Sequence, residues 1–104
     1  MVVKKLTVVG GGIAGLAAAY YARKYYDGST EVSIIEASDY WGGKIITDRV
    51  PHGDGNFVIE GGPDTFVVTK PWAVQLCKEL GLNERLRGTN PDKKHTYILK
   101  NNKL

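Results

Sequence analysis

The chain has 104 residues, of which 42% are hydrophobic and 24% charged, a balance typical of one globular domain and not of a disordered tail. The single cysteine, Cys77, excludes a disulfide framework and a cysteine-built metal site, so we expect a reducing, cytoplasmic setting, free or peripherally associated with a membrane. No apolar run approaches the roughly 20 residues that a membrane-spanning helix needs.

The formal charge of +3 is unevenly distributed along the chain. Residues 85–104 carry +5, whereas residues 1–84 carry −2. A basic segment is one mark of nucleic-acid binding. Here no aromatic side chains interleave the charges as a base-stacking surface requires, and only Tyr97 is near. We interpret the segment as a solvated connection and expect no nucleic-acid partner.

The first 36 residues predict a strand, a glycine turn, a helix and a second strand. Lys5–Val9 is a short β-branched apolar run, as in a buried parallel strand, and three glycines end it. Ile13–Tyr26 places apolar residues, among them Ile13, Leu16 and Tyr21, near one helix face. With Glu31–Glu36 as the next strand, the order predicts an α/β, Rossmann-like βαβ dinucleotide-binding fold.

An added β-hairpin and a helix are predicted after the second strand. Lys44–Val50 and Asn56–Glu60 are expected to pair around the polar turn Pro51–Gly55. A further strand is predicted over Thr96–Leu99, and residues 100–104 are typical of a hairpin turn with the first residue of a returning strand.

The predicted helix of the second half begins near Pro71. Thr69 is expected to cap it, and proline is favoured in a first turn. Apolar residues recur at three- and four-residue spacing up to Leu80, and Gly81 is expected to end the helix.

The pattern Gly10-x-Gly12-x-x-Gly15 follows the first strand and opens the first helix. Glu36 stands 21 residues after Gly15, at the end of the second strand, so the context fits a dinucleotide fingerprint. Gly10 permits a tight turn, Gly12 lets the backbone approach a pyrophosphate, and Gly15 lets the helix pack close to the strand. Glu36 is expected to bind the adenosine ribose, which disfavours NADP. The fingerprint does not choose between NAD and FAD.

Two further glycine segments offer close backbone approach to such a ligand. Gly42-Gly43-Lys44 would allow the chain to double back over a dinucleotide, with Lys44 as a phosphate partner or a solvated cation. Gly61-Gly62-Pro63 is a second segment poor in side chains. Ordinary turns at the ends of the hairpin account for both segments equally well.

The chain resembles the N-terminus of the flavin-dependent amine oxidase, phytoene desaturase and protoporphyrinogen oxidase superfamily in the runs VVGGGIAGLAAAYYARK and EVSIIEASDYWGGKI. It is similar to bacterial protoporphyrinogen/coproporphyrinogen oxidases in the runs FVIEGGPDTFVVTKPWAVQLCKELGL and TYILKNNKL. The similarity covers essentially all of the chain but only the opening portion of such an enzyme. We therefore expect residues 1–104 to be the N-terminal part of an FAD-binding domain, a fragment of a longer oxidase.

The resemblance implies non-covalently bound FAD. The glycines of the fingerprint would bind the pyrophosphate, and the carboxylate of Glu36 would bind the ribose. The second glycine segment would lie against the phosphate-ribose region, and the third would pass near the flavin ring. The candidate FAD-binding residues are Gly10, Gly12, Ile13, Ala14, Gly15, Glu36, Ala37, Gly43, Lys44, Gly62 and Pro63. Tyr40 departs from the family, which commonly has arginine at that position.

The activity implied by the resemblance is the oxidation of protoporphyrinogen IX or coproporphyrinogen III in heme biosynthesis, with molecular oxygen reoxidising the flavin. Because the flavin accepts the hydride, we name no catalytic residue and no metal site. Another FAD-dependent amine oxidase or desaturase, or a stand-alone NAD- or FAD-binding module, remains an alternative. The 104-residue chain alone is expected to be inactive, and either to self-associate through the open edge of the first strand or to bind FAD weakly.

Overall fold

A computed structural model describes residues 4–26, 28–93 and 97–103. It divides into two compact units, Met1–Phe66 and Val67–Leu104. None of the helices in the described ranges is long and apolar enough to cross a bilayer. The elements, in chain order, are β1 (Lys4–Val9), α1 (Ile13–Tyr26), β2 (Thr30–Ile35), β3 (Thr47–His52), β4 (Gly55–Glu60), α2 (Pro71–Glu79) and a 3-10 turn (Asn83–Arg85).

The parallel pair β1 and β2 confirms the predicted strand, helix and strand. Lys4 lies opposite Thr30 and Val9 opposite Ile35, and α1 contacts both strands. Within the described residues β1 pairs only with β2, so its other edge is unpaired. Because parallel strands end at the same edge, the carboxyl end of β2 brings Glu36 to the glycine turn that follows β1.

The interior between α1 and the two strands is thin. Gly11, Ala19 and Thr30 are the buried residues among those the structure describes. Ala19 marks the side of α1 that packs inwards. The predicted apolar face was partly wrong, because Ile13 and Tyr21 are 56% and 38% exposed.

The antiparallel hairpin of β3 and β4 confirms the prediction but differs in its bounds. Thr47 lies opposite Glu60, and its hydroxyl donates to the Glu60 carboxylate at 2.6 Å. β4 ends at Glu60, so its partner begins at Thr47 and not at Lys44. At the other end β3 continues to His52, which leaves a shorter turn with Gly53 at φ +55°.

The helix α2 begins at Pro71, as predicted, but Thr69 does not cap it. The N-cap is Lys70, which is extended and has no side-chain capping bond. The C-terminal end follows the prediction, because Gly81 adopts φ +70° and the Leu82 N–H donates to the Cys77 carbonyl oxygen at 2.7 Å. This pattern of bonds satisfies the last carbonyls of a helix.

The last described segment contains a tight turn without the predicted strand before it. Residues 97–99 are not in a strand, and Thr96 and Leu104 lie outside the described residues. Lys100 and Lys103 exchange backbone hydrogen bonds of 2.9 and 3.0 Å. Asn101 and Asn102 have φ of 51° and 57°, as a two-residue hairpin turn requires.

Candidate functional site

The glycine turn between β1 and α1 presents amide donors at the positive end of a helix. Gly10 has φ +101°, and its N–H donates to the Ile35 carbonyl oxygen at 2.7 Å, which anchors the turn to β2. The first i to i−4 bond of α1 is donated by Leu16 to Gly12 at 2.9 Å. The earlier N–H groups lack intrahelical acceptors, and the first turn carries no acidic residue. Such an end favours an anionic ligand.

Glycine stands at positions 12 and 15 for different reasons. A Cβ on Gly15 would collide with the carbonyl oxygen of Gly10, so glycine is needed there for the helix to meet the turn. A Cβ on Gly12 would have no heavy atom within 4 Å, and the backbone there does not require glycine. The space beside Gly12 is therefore free for a ligand. A pyrophosphate that approaches the helix end fits such a space, which is the role predicted from the fingerprint.

Glu36 directly follows β2 and is held in place by hydrogen bonds to both carboxylate oxygens. Its Oε2 accepts from the backbone N–H of Gly11. Its Oε1 lies 2.9 Å from the backbone nitrogen and 2.8 Å from the hydroxyl of Ser38. The backbone bonds from Ser38 and Gly11, followed by the Ser38 hydroxyl, lower the pKa of Glu36 to about 2. An ionised acceptor is therefore fixed beside the turn, and its contact with a ribose stays a prediction.

The low pKa of Glu36 predicts a pH dependence of folding. A carboxyl whose pKa is lower in the folded than in the unfolded chain stabilises the fold when it is ionised. The contribution should be complete above the ordinary value of 4.5 and lost as the pH falls towards about 2. Glu36→Gln should therefore flatten the acid side of the stability profile, measured by urea unfolding between about pH 2 and pH 6. Glu84→Gln, in the second unit, is the control, and an equal flattening by both variants would contradict the prediction.

The second glycine pair returns to the turn, which is one of the two outcomes that its spacing left open. The Gly42 N–H donates to the Gly11 carbonyl oxygen at 2.9 Å. Gly43 has φ +59°, and a Cβ on it would lie 3.2 Å from the Cα of Gly12. Two backbone segments poor in side chains thus meet at the end of α1, and the contact of Gly43 with a cofactor stays a prediction.

The third glycine segment lies against the residues that follow Gly43. A Cβ on Gly62 would collide with the Lys44 carbonyl oxygen, and the Gly61 N–H donates to the Ile46 carbonyl oxygen at 2.8 Å. The remaining candidates, Ala14, Ala37, Lys44 and Pro63, are exposed, and Ile13 is partly exposed. Their roles towards FAD stay predictions.

Sequence reasoning missed three residues that shape this site. Gly11 is buried, and a Cβ on it would collide with the ring of Trp41. Ser38 donates to Glu36 from the position two residues on, a local bond that serine commonly makes. The middle glycine of the run at 10–12 and a serine close behind the acid were the available signals. No sequence signal indicated the contact of Trp41 with Gly11, because that contact depends on how residues 37–43 fold back.

The family model for flavin containing amine oxidoreductases matches residues 13–104. A coproporphyrinogen III oxidase of Propionibacterium freudenreichii is 47% identical over 78% of the chain and 14% of its own length. That of Bacillus subtilis is 41% identical over 97% of the chain and 21% of its length. A flavin-dependent L-tryptophan oxidase of Lentzea aerocolonigenes is 32% identical over 81% of the chain and 17% of its length.

These matches confirm the superfamily resemblance and imply a flavin cofactor. The chain spans between 14% and 21% of the length of these relatives. The family match begins at the first residue of α1 and so includes Glu36, the returning glycine pair and α2. The chain belongs to the flavin containing amine oxidoreductase family.

Proposed function

We propose that this chain is the FAD-binding N-terminal segment of a porphyrinogen oxidase, with a Rossmann-like fold. The open space beside Gly12 carries the proposal, because the protein's own packing does not call for glycine there. Gly15, by contrast, is explained by packing alone. A glycine that packing does not explain, at the positive end of a helix and beside an ionised carboxylate, supports a bound dinucleotide.

The binding role proposed for each residue of the site follows from the observed contacts. The first turn of α1 would hold the pyrophosphate through the N–H groups of Ile13, Ala14 and Gly15, and Glu36 with Ala37 would face the ribose. Gly43 and Lys44 would flank the phosphate-ribose region, and Gly62 and Pro63 the ring. FAD supplies the two-electron oxidation when it is bound. The chain's own part is to bind and orient the dinucleotide.

The substrate proposed for the whole oxidase is coproporphyrinogen III, with molecular oxygen as electron acceptor. Several relatives carry the name coproporphyrinogen III oxidase, at 37–47% identity in the first three. This supports coproporphyrinogen over protoporphyrinogen, which the residues by themselves left open. A cytoplasmic location and self-association through the unpaired edge of β1 belong to the same proposal and stay predictions.

A second candidate is an amino-acid oxidase. The relative named a flavin-dependent L-tryptophan oxidase shares 32% identity over 81% of the chain, so the glycine turn and carboxylate suit either reaction. An assay of the whole protein that contains this chain distinguishes the two candidate functions. We expect that protein to produce fluorescent porphyrin from coproporphyrinogen III and to consume no L-tryptophan. Oxygen uptake with L-tryptophan alone would favour the second candidate.

A segment exchange tests the cofactor role separately from the substrate. The part of the Bacillus subtilis oxidase that this chain matches is replaced by the chain, giving a hybrid oxidase. The hybrid is expected to retain the visible absorption of bound flavin after gel filtration and to oxidise coproporphyrinogen III. A hybrid with native circular dichroism but no bound flavin would contradict the proposed cofactor role.

A further inference from the structure

The loop of residues 36–43 contacts the peptide of Gly11 in three ways. The Glu36 carboxylate accepts from the Gly11 N–H, and the Gly42 N–H donates to the Gly11 carbonyl oxygen at 2.9 Å. The ring of Trp41 covers the Cα, where a Cβ would collide with its Cε3 and Cζ3 atoms. One loop therefore fixes the donor, the acceptor and the Cα of a single glycine.

The position of Trp41 is not explained by core packing. The residue is 58% exposed, so most of its surface remains in water. One face of the ring lies on Gly11, which is one of three buried residues in the described ranges. The ring thereby restricts the movement of the residue whose N–H donates to the Glu36 carboxylate. A group that is already ordered loses less conformational entropy when it binds a partner.

We propose that Trp41 is a positioning residue, which clamps the Gly11 peptide against the Glu36 carboxylate and so orients that carboxylate for the ribose of the cofactor. This rests on the proposed FAD-binding function. Without the ring, the Gly11 backbone loses this restraint, and its hydrogen bond to the Glu36 carboxylate forms for only part of the time. The carboxylate then samples other directions, and the ordering must take place when the cofactor binds.

The first test compares variants of the full 104-residue chain. Trp41→Ala and Trp41→Phe are measured beside Trp72→Ala, which removes the other tryptophan, itself 69% exposed and in the second unit. Carboxyl NMR titration of the chain follows Glu36, and titration of the hybrid oxidase with FAD gives the dissociation constant. Trp41→Ala should raise the pKa of Glu36 from about 2 towards 4.5 and weaken FAD binding roughly tenfold. Trp41→Phe should recover most of both effects, and Trp72→Ala should change neither.

The second test is a double-mutant cycle between Gly11 and Trp41. Gly11→Ala alone should weaken FAD binding, because the new methyl group displaces the ring. In the Trp41→Ala background the same change should cost less, since the ring has been removed and only the tight contact of 3.0 Å with the Glu36 Oε2 remains. Gly11 and Trp41 are coupled if the effect of the double substitution on FAD affinity differs from the sum of the effects of the two single substitutions.

The outcomes separate this inference from the function on which it rests. If the hybrid oxidase that carries the parent chain does not bind FAD, the cofactor role fails, and the Glu36 titration still decides the role of Trp41. If Trp41→Ala leaves the pKa of Glu36 and the FAD affinity unchanged while circular dichroism stays native, the positioning role is overturned. Purely additive effects in the double-mutant cycle would overturn it as well.

Discussion

Gly12→Ala is expected to abolish flavin binding while it leaves the fold intact. A methyl group at this position meets no protein atom within 4 Å, so the folded chain has room for it. Replacing glycine by alanine where the backbone permits it also restricts the unfolded chain, so stability should hold or rise by about 0.4–1 kcal/mol. A pyrophosphate at the end of α1 would need that same space. Overpacking of about 3 kcal/mol corresponds to a loss of affinity of about 100-fold.

The measurement for Gly12→Ala pairs flavin retention with urea unfolding in the hybrid oxidase. Gly88→Ala is the matched control, because a Cβ there also meets nothing within 4 Å and its backbone does not require glycine. Both variants should unfold like the parent, and only Gly12→Ala should lose its visible absorption. Retention of flavin by Gly12→Ala would show that the space beside Gly12 is not used by the cofactor.

Gly15→Ala is expected to destabilise the protein by about 3 kcal/mol or more, since a methyl group there collides with the Gly10 carbonyl oxygen. In an unobstructed helix interior the same substitution stabilises by about 1 kcal/mol, so the sign of the effect is diagnostic. The obstacle is backbone, which no rotamer change can move aside. Relief would require α1 to shift away from β1.

Urea unfolding of Gly15→Ala beside the parent measures this effect. Ala18→Gly, at an exposed position of the same helix, is the control and should cost about 1 kcal/mol through helix propensity alone. No second substitution of a side chain should restore Gly15→Ala, unlike Gly11→Ala, which Trp41→Ala should relieve in part. An unfolding free energy equal to or above that of the parent would rule out the close contact between α1 and the turn.

Local sequence signals were reliable where one rule governs a short segment. The bounds of α1 were predicted correctly, because its alanine-rich run lies between a glycine turn and another turn. Gly81 at the end of α2 was also predicted correctly, since a left-handed residue is needed there. The predicted cap at Thr69 was wrong because a residue that precedes proline is kept out of the helical region, so Lys70 is extended and takes the N-cap position.

Signals that depend on distant partners were less reliable. The start of β3 was misplaced by three residues because it is set by where β4 ends, which is a property of the pair. The apolar face of α1 was misassigned at Ile13 because which side of a helix is covered depends on what lies against it. Strand pairing and helix docking depend on contacts between distant residues, and the hydrophobic periodicity of one segment does not specify which residues make them.

The sequence by itself determined that the chain carries a glycine fingerprint with an acid after the next strand, and that its runs resemble a flavoprotein family. These properties depend on spacing along one continuous βαβ unit, which chain connectivity preserves. Only the tertiary structure decided which glycines serve packing and which leave space, and that Trp41 covers Gly11. Those distinctions arise where residues 36–43 approach residues 10–15 and where residues 61–62 approach residues 44–46. The spacing of residues along the chain does not encode the distance between such segments.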